Sequence, residues 1–209
     1  SQGGIHGANC DIPERLLNEV YGKPFQASIS EANLRGIMPC YSSINGEPLS
    51  SSHKMLTGLL REEMGFDGVC AADYGAVGNV FHVQKVGESV TEAGLMCMEA
   101  GMDVEMQNCV GFNEELKEWF RSGRANMEIL DRAVRRILEA KFRMGIFEHP
   151  YALENEALQE AFYRKEDEGI LLRAALESLI LLKNNGVLPF NPNGRKIAVV
   201  GCHAQNARC

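Results

Sequence analysis

Residues 36–77 read GIMPCYSSINGEPLSSSHKMLTGLLREEMGFDGVCAADYGAV. Two short apolar runs, residues 36–41 and 68–72, flank a segment in which Met55, Leu56, Leu59, Leu60 and Met64 recur at helical spacing. Ser50, Ser51 and Ser52 precede that helix as candidate N-caps, because a hydroxyl there accepts the first free backbone N–H groups. Strand, helix and strand joined by such short connections form a βαβ unit, which predicts a parallel sheet and an α/β fold. The second strand runs out in Ala71-Ala72-Asp73-Tyr74-Gly75. In β/α barrels the C-terminal end of a strand is where reactive groups are placed. On spacing alone Asp73 reads as a loop aspartate that accepts backbone N–H groups in the turn before Gly75.

The rest of the chain extends the same pattern. Residues 1–11 are a Gly-rich loop, and a helix follows with Asp11 as its N-cap and Pro13 early in it. Leu16, Leu17, Val20, Phe25 and Ile29 continue an apolar face that Gly22 and Pro24 interrupt. Residues 75–90 read as loop, 92–101 as a short helix ended by Gly101, and 102–106 as the next strand, where Asp103 and Glu105 read as structural acids ordering the loop at the strand end. Helices are expected over 112–121 and 127–144. The second has a core-facing stripe of Leu130, Ala133, Val134, Ile137, Leu138 and Phe142. After an acidic and basic stretch, residues 170–183 read as an apolar helix and Lys196 to Gly201 (KIAVVG) as a buried strand.

Composition narrows the function. The formal net charge of -7 disfavours nucleic acid as a partner, since a phosphate backbone calls for a basic surface. No apolar run is long enough to span a bilayer. Seven cysteines, an odd number with no CxxC spacing, suit a reducing compartment better than a disulfide framework, so a cytoplasmic location is expected. Cys40 and Cys70 fall inside the expected strands, where Cys acts as a small buried hydrophobe. The histidines show no HExxH or Cys/His clustering, so neither a metal nor another cofactor is expected. A lone Gly201 after an apolar strand is too weak a signal for nucleotide binding without GxGxxG or a P-loop.

Four ordered motifs carry a resemblance. They are Met38-Pro39-Cys40-Tyr41-Ser42-Ser43-Ile44-Asn45-Gly46, Leu56-Thr57-Gly58-Leu59-Leu60-Arg61, Gly65-Phe66-Asp67-Gly68, and Ala72-Asp73-Tyr74. Together they resemble the nucleophile region of glycoside hydrolase family 3. The resemblance covers essentially the whole chain and implies the C-terminal half of a TIM-type β/α barrel over residues 1–151. A linker at 152–169 and the start of an α/β sandwich domain at 170–209 would follow, with the chain cut at both ends. It implies a retaining glycosidase acting on terminal β-linked sugars, with a β-glycoside or oligosaccharide as substrate and β-glucosidase as the leading activity. β-Xylosidase, β-N-acetylhexosaminidase and a non-catalytic carbohydrate-binding member are the alternatives. His6 lies where the hexosaminidases keep an Asp-Ser-His loop, but Asp and Ser do not precede it.

By the same resemblance Asp73 is the nucleophile, Tyr41 the tyrosine set against it, and Met38 a methionine lining the sugar site. Tyr74 stands where the family has tryptophan and Ala72 where it has serine, which bears on aglycone preference more than on the reaction. The proton donor, a second-domain glutamate in two-domain members, is expected beyond Cys209, so residues 1–209 alone are expected to be inactive. Nothing in the sequence specifies an oligomeric state.

Overall fold

The computed structural model describes residues 2–5, 7–152, 155–162, 164–191, 193–194, 196–201 and 204. The backbone divides into two compact units, Ser1–Tyr151 and Ala152–Cys209.

The first unit is built on the expected βαβ element. Strand β1 (Gly36–Ile37) leads through an antiparallel hairpin, β2 (Ser43–Ile44) and β3 (Glu47–Pro48), into a helix over Lys54–Glu63. The chain then returns in β4 (Val69–Cys70), parallel to β1 with Gly36 opposite Val69 and Ile37 opposite Cys70. A third parallel rung joins Ala71 to Val104. The fold is therefore α/β, with consecutive parallel rungs connected by helices. The strands are shorter than the apolar runs suggested. Residues 38–41 leave the ladder after Ile37, and the strand expected over 102–106 is reduced to the bridge at Val104.

Ser52 caps the central helix. Its hydroxyl accepts the Met55 N–H at 3.3 Å and its carbonyl accepts the Leu56 N–H at 2.9 Å. The helix is wound as a π-helix, and the Met64 N–H reaches back to the Leu59 carbonyl. Leu56 and Leu60 are buried, with Met55, Leu59 and Met64 half-buried. The hairpin turn is Asn45-Gly46, both at positive φ (52° and 86°), the backbone of a type I′ turn. The Asn45 side chain mimics a strand partner, accepting the Ile12 N–H at 2.7 Å and donating to the Ile12 carbonyl at 2.8 Å.

Near the N-terminus, α1 (Glu14–Leu16) continues as a π turn through Tyr21, and α2 (Lys23–Ser30) restarts after Gly22. Pro13, not Asp11, occupies the cap position of α1. Residues 76–82, read as loop, form helix α3 (Ala76–His82). Helix α4 (Val90–Ala100) is capped by the Ser89 hydroxyl, which accepts the Glu92 N–H, and ends at Gly101 with φ 120°. Helices α5 (Glu114–Arg121) and α6 (Met127–Arg143) begin at Asn113 and Asn126, whose side-chain oxygens cap them. Ala72, Ala76, Val77, Val80, Ala93, Cys97 and Met102 form the main core, and Leu116, Trp119 and Phe120 form a second one with Met98 and Ala125. The α6 stripe is only partly core. Ala133 is buried, whereas Val134, Leu138 and Phe142 are exposed, because no described element of this unit covers that side.

The second unit holds α7 (Asn155–Phe162) and α8 (Glu168–Ser178). Its helix stops at Ser178, short of the expected 183. The KIAVVG run is exposed and irregular over 196–200, since a strand needs a neighbour to satisfy its backbone and the described residues of this unit provide none. Among the described residues no helix is long and apolar enough to cross a membrane.

The described cysteines are free and fall into two groups. Cys10, Cys70 and Cys97 are buried, whereas Cys40, expected inside a strand, is exposed beyond the end of β1, as is Cys109. Burial pushes the Cys70 thiol up to about 12 and raises that of Cys97 as well. A thiol with a folded-state pKa above its unfolded value binds its proton more tightly when folded. Both thiols therefore contribute stability that is fully present below their ordinary value of 9.0 and is lost as pH rises through the folded value. At pH 8, iodoacetamide is expected to label Cys40 and Cys109 while Cys70 and Cys97 react only after denaturation, as peptide mass mapping would show.

Candidate active site

Asp73 lies three residues beyond the end of β4 and is half-buried there. One carboxylate oxygen accepts the N–H of Tyr74 at 2.7 Å, so the turn role expected on spacing alone is filled. The Asp73 carbonyl accepts the Ala76 N–H at 3.0 Å, and Gly75 takes the left-handed conformation (φ 71°) that lets α3 start directly beyond it.

Tyr41 comes from the segment between β1 and β2 and packs against the main core. Its hydroxyl donates to the Tyr74 carbonyl at 2.8 Å. Burial, and then the neighbouring Asp73 carboxylate, raise the phenol above its ordinary value of 10.0. Tyr41 thus keeps its proton at any ordinary working pH, beside the carboxylate. Tyr74 is 59% exposed, with its ring available for stacking. The fold therefore gathers Tyr41, Asp73 and Tyr74 within hydrogen-bond reach.

Met38 stands apart from them. It is 56% exposed and borders an apolar cavity of about 530 Å³ lined also by Leu17, Tyr21, Phe25, Leu56 and Leu60. None of Asp73, Tyr41 or Tyr74 lines that cavity. Among the described residues no group of three or more His, Cys, Asp or Glu side chains is placed to hold a metal ion.

Three further residues support this site, of which only Gln84 escaped the sequence reading altogether. Gln84 donates from its side-chain amide to the Tyr41 carbonyl at 2.9 Å and to the Ser43 hydroxyl at 3.2 Å. Glu105 does order a loop: it accepts the N–H groups of Gly111 (3.0 Å) and Phe112 (2.7 Å), and the Met106 carbonyl accepts the Gly75 N–H at 3.0 Å. Asp103, by contrast, lies in the core with its side chain fully buried. It receives Arg61 at 2.8 Å, Arg136 at 3.0 Å and the Cys70 N–H at 2.9 Å, and so ties β4 to two helices. Burial lowers the Arg61 guanidinium pKa, and the Asp103 charge opposes that shift.

The loop that Glu105 orders packs through glycine. A Cβ on Gly94 would strike the Gly111 backbone, which cannot retreat as a flexible side chain could. Gly94→Ala is expected to lower the unfolding free energy by about 1–3 kcal/mol, the usual cost of overpacking, read as an earlier urea midpoint.

Comparison with known proteins follows the same lines. Residues 1–140 match the profile described as the glycosyl hydrolase family 3 N terminal domain. A β-xylosidase of Formosa agariphila is 34% identical over 216 residues, covering 98% of this chain and 29% of the relative. A lysosomal β-glucosidase of Dictyostelium discoideum is 33% identical, covering 94% of this chain and 24% of the relative. Among solved structures, a β-glucosidase from Listeria innocua superposes with a TM-score of 0.76 at 31% identity, covering 90% of this chain and 26% of that one. That enzyme has also been solved with glucose and, as a mutant, with laminaribiose. The chain thus spans between a quarter and a third of the first relatives it matches. On this evidence the chain belongs to glycosyl hydrolase family 3.

Proposed function

We propose that this chain supplies the nucleophile of a retaining β-glycosidase, with Asp73 as that group. One observation carries the reading: a carboxylate just beyond the C-terminal end of a parallel strand, beside a tyrosine whose hydroxyl is held at the next residue's carbonyl. In the first step an Asp73 oxygen bonds to the anomeric carbon as the bond to the leaving oxygen breaks. A proton from the acid, assigned to a residue outside this chain, completes the leaving alcohol. Water then attacks the same carbon and releases Asp73, giving its proton to the same outside group. Tyr41 orients the carboxylate, and the Tyr74 ring offers a stacking face to a sugar. Met38 is assigned to the sugar site from its motif position alone.

The consecutive parallel rungs support reading unit 1 as the C-terminal half of a TIM-type barrel, and the homology supports reading residues 170–209 as the opening of a sandwich domain. A β-glucoside is the preferred substrate class, since glucosidases recur among relatives and solved structures; a β-xyloside is the second, supported by the Formosa enzyme. The test is proton NMR of the first-formed sugar released from aryl β-glucosides and β-xylosides by a protein that carries this chain. A β-anomer is the expected product. An α-anomer formed first would contradict the covalent, retaining course. Residues 1–209 alone are expected to give no turnover.

A further inference from the structure

We infer that Gln84 is a positioning residue that sets the distance between the Tyr41 phenol and the Asp73 carboxylate. The inference rests on the assignment of Asp73 as nucleophile. Helix α3 begins two residues after Tyr74, and its inner face, Val77 and Val80, has no exposed surface, so it moves only with the core. Just beyond its far end, the Gln84 N–H is held by the Asn79 carbonyl at 2.9 Å, which fixes Gln84 relative to that helix. From there the side-chain amide grips the Tyr41 carbonyl and the Ser43 hydroxyl. Tyr41 in turn donates back to the Tyr74 carbonyl, at the start of the same helix. The circuit Asp73–Tyr74, α3, Gln84 and Tyr41 closes on itself. It joins two segments more than 30 residues apart in sequence through one side-chain amide. Without that amide, the Tyr41 backbone loses its tie to α3 and the phenol keeps only its core packing and the Tyr74 carbonyl to hold it beside the carboxylate. Gln84 touches neither the reacting atoms nor the sugar; it acts through Tyr41.

The test uses a protein carrying this chain that turns over aryl β-glycosides. A dinitrophenyl 2-deoxy-2-fluoro-β-glycoside isolates the first step. An oxygen of Asp73 bonds to the anomeric carbon, dinitrophenolate leaves with the electron pair, and the adduct accumulates. Gln84→Ala is expected to slow this labelling by about tenfold, and Gln84→Glu, which keeps the size but loses both N–H donors, at least as much. In a Tyr41→Phe background the same Gln84→Ala change should add less than about twofold, since its effect passes through the lost phenol. If thermal melting shows that Gln84→Ala is misfolded, Gln84→Met fills the space without donors and takes its place. Unchanged labelling, or equal slowing in both backgrounds, would overturn the inference, because a merely structural role acts alike in both. Wild-type turnover by Asp73→Asn would instead overturn the nucleophile assignment beneath it.

Discussion

Asp73→Gly is expected to abolish glycoside hydrolysis, with turnover of an aryl β-glycoside falling on the order of 10⁴-fold or more in a protein carrying this chain. The loss is that large because no second group takes over when the covalent route closes. Tyr41 keeps its proton, its pKa lying above the ordinary value, and so offers no competing nucleophile near neutral pH. The small side chain also leaves a space beside the anomeric carbon. Azide can enter that space and attack from the side Asp73 occupied, with a dinitrophenolate leaving and no proton donor required. The expected product is the α-glycosyl azide. A β-glycosyl azide would place Asp73 on the other side of the sugar and assign it the acid/base role.

The second large effect is on stability. Asp103→Ala is expected to cost about 3–5 kcal/mol, because it leaves the buried Arg61 side chain and the half-buried Arg136 without their counter-charge. The Arg61 side chain is 8% exposed and that of Arg136 is 19% exposed, so water replaces the lost carboxylate only in part. The Cys70 N–H loses its acceptor at the same time, and Cys70 lies only three residues before Asp73. A urea midpoint lower by more than about 1 M is the expected reading. Glu114→Ala, which breaks the solvent-exposed pair with Lys117, should leave the midpoint where it was. Equal shifts in the two variants would mean that the Asp103 cluster is no more than a surface network.

What the sequence made legible follows from what each signal reports. The βαβ unit could be read because two apolar runs and a helical stripe lay close together, and the parallel register of β1 and β4 agrees. Strand lengths were overdrawn because an apolar run reports burial and not pairing. Pro39 is buried and Ala72 has no exposed surface, yet neither extends the two-residue ladder. Helix α3 was missed for a related reason. Ala76, Val77, Gly78 and Val80 are all buried, so the segment shows little of the one-sided period that marks a surface helix. The KIAVVG run carries a strand's composition but lacks a strand's neighbour.

At the site, Asp73, Tyr41 and Tyr74 were legible through a motif and do meet in space, whereas Met38 borders a different cavity. Gln84 carried no motif and sat in a stretch read as loop, so only its contacts reveal it. Asn45-Gly46 did hold a readable signal: the dipeptide is the usual type I′ turn pair, and it folds as one.

The most direct test of the central claim is mechanism-based labelling with a 2-deoxy-2-fluoro-β-glucoside, or the xyloside if glucosides are not turned over, followed by peptide mass mapping. The expected result is a single glycosyl adduct on Asp73 in the peptide that contains Ala72-Asp73-Tyr74. An adduct on another carboxylate, or hydrolysis of the parent glycoside with no adduct at all, would contradict it.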